Sequence, residues 1–173
     1  MLKLRIISII TASMLSIPIF GQSGGTPRGD KVTLKKAERM ESKVDDEGKE
    51  YTFISGNVRL EKDSLTIFCD EASVYKSLEG NHALLFGNVE IRDGGNLTFE
   101  AGEGTYFSDT KEIILNDQVT VNFSGGSLTS EGIAYDRVNK TIRFLKPTSL
   151  TENKGEPSRY MDGEYDIDAK KIR

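Results

Sequence analysis

The chain has 173 residues, a formal net charge of −4 and 36% hydrophobic residues, which suits one domain with tails. Its charges are mixed along the sequence, without the basic stripe that nucleic-acid binding requires. It has one histidine and one cysteine, so it lacks the His and Cys pairs from which catalytic and zinc sites are commonly built. The composition therefore argues against an enzyme, a metal site and a cofactor.

The N-terminus has the three-part layout of a secretory signal peptide. A basic start, MLKLR, precedes an apolar stretch over residues 6–20, and small and polar residues follow it. The apolar stretch is interrupted by Pro18 and is too short for a comfortable membrane span. We predict a signal peptide over residues 1–21, cleaved near Gly21, and a flexible leader over residues 22–31. An uncleaved anchor is the alternative.

From residue 32 onward, short runs alternate apolar and polar residues between turn-forming residues. Such runs indicate strands, not helices. The stretch KKAERMESKV fits helical spacing poorly and is also predicted as a strand. Cys69, in LTIFCDEA, is expected to be a small buried hydrophobe. His82, in NHALL, is expected to be structural or exposed.

The pattern repeats about every 30 residues. Gly-Asn-Val recurs after 31 residues and, as Asp-Gln-Val, after another 30. A fixed period in this range indicates stacked supersecondary units, here of two or three strands each. A Glu recurs in each unit, which favours an architectural role because a catalytic carboxylate need appear only once. These residues and the tyrosines that follow them are Glu71 and Tyr75, Glu103 and Tyr106, and Glu131 and Tyr135.

Each predicted strand has one dry and one wet side, because alternate residues face opposite sides of a sheet. Closing two such sheets face to face would make a sandwich or roll with an apolar interior. The dry strip is a core by default, and its length raises the alternative that it holds a long apolar ligand. The residues predicted to line it are Val58, Leu60, Leu65, Ile67, Val89, Ile91, Leu97, Phe99, Val119, Val121, Phe123 and Leu128.

The remaining polar signals are assigned to turns and to the C-terminus. Asp is common in turns, and four aspartates receive only that interpretation: Asp63, Asp93, Asp109 and Asp136. The glycine pairs Gly94-Gly95 and Gly125-Gly126 are predicted as turns, because no helix follows them. Residues 151–173 are weakly patterned and predicted as a polar tail or an edge strand.

The ordered recurrence resembles the OstA-like family, the family of the lipopolysaccharide-transport protein LptA. The segments that carry the resemblance are SGNVRLEKDSLTIFCDEASVYKS, LFGNVEIRDGGNLTFEAGEGTYFSDTKEIIL and VTVNFSGGSLTSEGIAYDRVNKTIRF. It covers roughly residues 32–146. The third unit departs from the pattern, with Asn116-Asp117-Gln118 where Gly-Asn is expected.

The resemblance implies an all-β fold over residues 32–150. This is an antiparallel β-jellyroll, an open and twisted roll built from repeated strand pairs of about 30 residues. It implies a periplasmic carrier or bridge that shields the acyl chains of lipopolysaccharide between the inner and outer membranes. The implied partners are lipopolysaccharide or a related glycolipid, an LptC-like inner-membrane protein, an LptD-like outer-membrane protein and head-to-tail copies of the chain.

Edge strands are natural docking sites for such partners. They are predicted at Val32 and Leu34 near one end, and at Ile142 and Phe144, or the 161–167 segment, near the other. Two other functions stay open. A purely structural β-repeat protein or adhesin would share the repeat and the signal peptide. A carbohydrate-binding module is disfavoured, since Phe99 and Phe123 fall on the dry side.

Overall fold

The computed structural model describes residues 17–18, 32–77, 80–153 and 155–173, and these form fourteen β-strands. No described segment forms a helix that could cross a membrane. The predicted signal peptide and leader lie outside the described residues, apart from the two residues of β1. The strands are β1 Ile17–Pro18, β2 Thr33–Lys36, β3 Arg39–Val44, β4 Glu50–Lys62, β5 Leu65–Ser77, β6 Gly80–Asp93, β7 Thr98–Phe107, β8 Glu112–Phe123, β9 Gly126–Asp136, β10 Thr141–Phe144, β11 Thr148–Glu152, β12 Ser158–Tyr160, β13 Glu164–Asp166 and β14 Lys171–Ile172.

All the strands belong to one antiparallel sheet whose central part follows chain order from β4 to β10. Three long hairpins, β4/β5, β6/β7 and β8/β9, form this centre and correspond to the repeat of about 30 residues. Short strands cover the outermost hairpins: β2 and β3 pair with β4, while β10 and β11 pair with β9. The fold is therefore the predicted antiparallel jellyroll.

The repeated Gly-Asn pair consists of turn-forming residues, which favour a boundary between strands, but in the structure it is a bulge inside a long strand. In β6 the register skips Gly87 and Asn88 while β7 skips fewer residues, and the ladder then resumes at Val89. Both skipped residues have positive φ, 71° and 46°, which glycine and asparagine tolerate best. A bulge of this kind bends its strand, so strand length alone could not reveal the bend.

The bulges divide the sheet into two leaves. The first leaf contains β3, β10, β13, β14 and the strand halves 50–55, 71–77, 80–86, 103–107, 112–116 and 132–136. The second leaf contains β2, β11, β12 and the strand halves 58–62, 65–69, 89–93, 98–101, 119–123 and 126–130. The inner faces of both leaves contribute to one continuous apolar core. The molecule is thus a sheet folded over itself along its line of bulges.

The C-terminal region continues the sheet. Pro147 cannot donate a backbone hydrogen bond to a ladder and so favours the end of a sheet, but β11 begins at the next residue and pairs with β9. β12, β13 and β14 then add to both leaves. Sequence patterning did not predict these strands, because each has only two or three residues. Such a run is too short to show an alternation of apolar and polar residues.

Candidate functional site

The second leaf supplies one wall of the interior, and this wall carries all twelve residues predicted from the dry side of the alternation. Eleven of them are at most 6% exposed, and Phe123 is partly buried against the same core. Phe99 packs on Tyr135 of the first leaf, with ring centroids 4.8 Å apart. In the structure these side chains are packed together as a core.

The first leaf supplies the opposite wall, which the sequence reasoning missed. Its buried residues include Ile54, Val74, Leu85, Tyr106, Ile113, Leu115, Ile133 and Tyr135. The sequence signal for this wall is a change of phase within β5, β7 and β9: the alternating set of residues that faces inward changes from odd to even positions, or the reverse, along the strand. In β5, the inward residues are Leu65, Ile67 and Cys69 before the bend but Ala72 and Val74 after it. Opposite a two-residue bulge the partner strand skips one residue, which reverses its alternation.

This phase change also separates the repeated tyrosines. Tyr106 and Tyr135 are buried inside the first leaf, whereas Tyr75 faces outward. There, Tyr75 stacks between Tyr51 and His82 at centroid distances of 5.0 Å on each side. His82, predicted to be structural or exposed, thus has a stacking partner on the outer face. Stacked rings turn their faces to each other, so this aromatic row offers little free ring face to a sugar.

The side of the molecule opposite the bulges, which we call the mouth, is closed by polar side chains centred on Asp93. Asp93 ends β6 in the second leaf, and its side chain is fully buried. Tyr135 Oη donates to its Oδ2 at 2.9 Å, and Ser64 Oγ donates to its Oδ1 at 2.7 Å. Arg137 donates two hydrogen bonds at 3.1 Å, and Lys140 Nζ donates one at 3.1 Å. The contacts from Tyr135, Arg137 and Lys140 cross from the first-leaf side to the second leaf.

The cluster holds Asp93 ionised in spite of its burial. Burial alone would raise the pKa of Asp93, but hydrogen bonds from Arg137 and Ser64 and the charge of Arg137 hold it well below its usual range. Burial, together with the negative charge of Asp93, raises the pKa of Tyr135, so its hydroxyl stays a donor. The pKa of Arg137 is also raised, because the bonds to Asp93 outweigh the effect of burial.

One charge interaction and one further contact link the leaves. Lys62, at the end of β4, is only 4% exposed, and its charge contributes to lowering the pKa of Asp109, whose largest cause is the hydrogen bond from the backbone N–H of Asn81. Tyr165 of the first leaf lies 3.4 Å from Glu152 of the second, oxygen to oxygen. The leaves are therefore continuous backbone at the bulges and held by side chains at the mouth.

Asp93 and Lys62 could have been found from the sequence. Asp93 has the same phase as Val89 and Ile91, and Lys62 has the same phase as Val58 and Leu60. A charged residue that continues a run of inward-facing apolar residues is expected to be buried, and a buried charge requires a partner. Reading Asp93 only as a turn residue overlooked this phase.

The predicted edge strands are placed differently at the two ends. Ile142 and Phe144 do not lie on an edge, because β13 pairs with the open side of β10. Val32 is buried just before β2, and Leu34 lies in β2, which pairs with β4 on one side and with β1 on the other. Among the described strands, β1, β3, β12 and β14 each have one pairing partner.

Two clefts lie outside the interior. The larger, of about 360 Å³, includes Thr120, Thr129, Ser149 and Arg159, which form a row across the outer face of the second leaf. The smaller, of about 120 Å³, includes Glu112 and Arg143. Cys69 is buried as predicted, and burial, followed by the charge of Asp70, raises the pKa of its thiol to about 12. The described residues contain no group of three or more metal-ligating side chains.

Comparison with known proteins identifies both a family and a fold. A family model described as OstA-like protein matches residues 29–172. The structure is similar to that of LptH from Pseudomonas aeruginosa, described as the LptA-homologous periplasmic component of the lipopolysaccharide transport device. The TM-score is 0.55 at 16% identity, and the match covers 75% of this chain and 92% of LptH. No curated protein matches the sequence.

Proposed function

Because the chain belongs to the OstA-like protein family, we propose that it is a periplasmic carrier that shields the acyl chains of lipopolysaccharide, or of a related glycolipid, between the two membranes. The observation that carries this proposal is the apolar core enclosed by two leaves. These are joined by backbone on one side and, at the mouth, by side-chain contacts. Side-chain contacts can separate without unfolding either leaf.

The energetics suit an acyl-chain ligand. Burying each methylene is favourable by about 0.8 kcal/mol, so an apolar track lowers the cost of moving a chain through water. In the structure the interior residues pack against each other, so a chain enters only as the leaves part at the mouth. The sugars of the ligand would then stay in water outside it.

The proposed partners dock at sheet edges. Cleavage of the predicted signal peptide near Gly21 would remove β1 and leave β2 as an edge at one end of the sheet. β14 is the edge at the far end of the central strand order. Pairing β14 of one copy with β2 of the next would extend the sheet, and LptC-like and LptD-like proteins would use the same two edges.

A photo-crosslinking experiment tests the carrier function with matched neighbours. A crosslinking residue replaces Leu85, which is buried in the interior, or Leu84, which faces outward on the same strand. A second pair replaces Phe99 or Glu100. The carrier model expects crosslinks to lipopolysaccharide from Leu85 and Phe99 and none from Leu84 and Glu100. A folded protein that crosslinks at neither inner position contradicts it.

The packing of the interior favours one alternative, a structural β-repeat protein of the cell envelope. Its core would be permanently closed, as most protein cores are. The same crosslinking pairs separate the two functions, because a closed core gives no lipid adduct from Leu85 or Phe99.

A further inference from the structure

The side chains hydrogen-bonded to each other at the mouth include more cations than carboxylates. Asp93 contributes one carboxylate against the two cations of Arg137 and Lys140, while Tyr135 and Ser64 are uncharged donors. Asp168 adds a further negative charge that acts on Tyr135. The Lys140 side chain is 38% exposed, whereas that of Arg137 is 8% exposed. One cation is therefore open to water and the other faces the interior.

The position of this cluster coincides with the place where a lipid headgroup would lie. Tyr135 joins the two regions, since its ring packs on Phe99 in the interior and its hydroxyl bonds to Asp93. A lipid with its chains between the leaves would hold its headgroup beside the turn that carries Arg137 and Lys140. This step rests on the proposed carrier function.

Opening the mouth separates Asp93 from its cations. Breaking a buried ion pair without a replacement leaves a charge beside an apolar interior, which is strongly unfavourable. An acidic headgroup removes this penalty for Arg137 and Lys140, because it supplies a new anion to both, while Asp93 meets water as the mouth opens. Arg137 already binds Asp93 through two parallel bonds of 3.1 Å, and a phosphate accepts an arginine in the same two-bond geometry. A neutral headgroup offers no such exchange.

We propose that Arg137 and Lys140 form a binding site for the phosphate of an acidic lipid headgroup, and that Asp93 fills this site when the mouth is closed. Headgroup binding and mouth opening are then one event, in which the phosphate displaces Asp93. The site selects acidic lipids over neutral lipids with identical chains.

Two fluorescent lipids with the same acyl chains test the proposal: a phosphatidic acid and the corresponding diacylglycerol. The wild type is expected to bind the phosphatidic acid about tenfold more tightly. Lys140→Gln should lose this preference, measured as the ratio of the two affinities, because a weaker mouth affects the binding of both lipids alike. Arg143→Gln is the matched control, because Arg143 pairs with Glu112 at 3.2 Å on the outer face of the first leaf, and it should keep the preference.

Lys140 is the better test position than Arg137, whose loss would leave Asp93 buried with fewer partners. Thermal unfolding of each variant checks folding, and Lys140→Arg should restore the preference. Equal binding of both lipids by the wild type overturns the headgroup site while the carrier function stands. A preference that survives in Lys140→Gln overturns it as well.

Inorganic phosphate distinguishes a lipid-borne phosphate from a free one. If inorganic phosphate alone raises the unfolding temperature as much as the phosphatidic acid does, and does so through Lys140, the site takes free phosphate and the lipid assignment is wrong. If the folded wild type binds neither lipid, the carrier function itself fails and this proposal fails with it.

Discussion

The Tyr135 hydroxyl donates to Asp93 Oδ2 at 2.9 Å, although the two residues are 42 positions apart in the chain and belong to opposite leaves. Together with Arg137 and Lys140, this bond joins the leaves on the side where the backbone of the described residues does not connect them. Its strength therefore bears on the stability of the fold and, in the proposed carrier, on access to the interior.

Removing the carboxylate should destabilise the fold strongly. We expect Asp93→Ala to lower the free energy of unfolding by about 3–5 kcal/mol, because Arg137 would remain buried without its anion. Urea denaturation measures this. Glu112→Ala is the control, since it removes an exposed ion pair with Arg143 that contributes about 1 kcal/mol or less. Equal losses in the two variants would show that the mouth cluster stabilises the fold no more than an exposed ion pair does.

The stability of the protein should depend on Asp93 in the acid range. Its pKa is lowered in the folded protein, whereas an unfolded Asp titrates near about 3.9. Its contribution is therefore complete above about pH 5 and is lost as the pH falls through about 4 toward the folded value. We expect the stability of Asp93→Asn to fall less than that of the wild type between about pH 6 and pH 3, measured by urea denaturation.

Asp109, Asp136 and Asp166 also have lowered pKa values, so both proteins will lose some stability in acid. The difference between the two pH profiles isolates Asp93. Parallel profiles would show that Asp93 has a similar pKa in the folded and unfolded states.

Two phenylalanines on one leaf allow a matched test of its faces. Phe99 is 1% exposed in the interior, whereas Phe68 lies on the outer face between the guanidinium groups of Arg59 and Arg92. Phe99→Ala should cost about 3–5 kcal/mol by opening a cavity. Phe68→Ala should cost about 1–2 kcal/mol, mainly through the loss of cation–π contacts. Similar costs by chemical denaturation would contradict the assignment of the two faces.

At two of the bulges a glycine faces an acidic residue on the neighbouring strand, but the strand that carries the glycine differs between the two bulges. A Cβ on Gly87 would lie 2.5 Å from Asp70 Oδ2, and a Cβ on Gly102 would lie 2.1 Å from Asp117 Oδ2. Asp117 occupies the position of the bulge glycine in the third unit, and Gly102 occupies the position of Asp70. An acidic side chain thus covers a glycine in both units, from opposite strands. This exchange explains why the third repeat departs from Gly-Asn-Val without losing its bend.

This exchange predicts a coupling between the two positions. Gly102→Ala should destabilise the wild type by about 1–3 kcal/mol through overpacking against Asp117. In an Asp117→Gly background the same substitution should cost clearly less, because the clashing carboxylate is gone. A double-mutant cycle measures the coupling, and additive effects would show that the side chains do not compete for space.

The alternation of the sequence predicted strands from residue 32 onward, their repeat of about 30 residues and the second-leaf wall from Val58 to Leu128, but not the short strands β12, β13 and β14. Alternation is a local property, since it depends only on a residue's neighbours along one strand. The alternation also places Asp93 and Lys62 on the buried faces of their strands, although the turn-forming residues beside Asp93 favoured a turn interpretation. The family resemblance rested on the order of these local units.

Only the tertiary structure decided the rest. The bend at Gly87-Asn88 depends on how β6 pairs with β5 and β7, and it reverses the phase that would have revealed the first-leaf wall. Whether β10 is an edge depends on β13, which pairs with it from more than 20 residues further along the chain. The partners of Asp93 lie 29 to 47 residues away. Such contacts form when the sheet folds over itself, and no local pattern of residues specifies them.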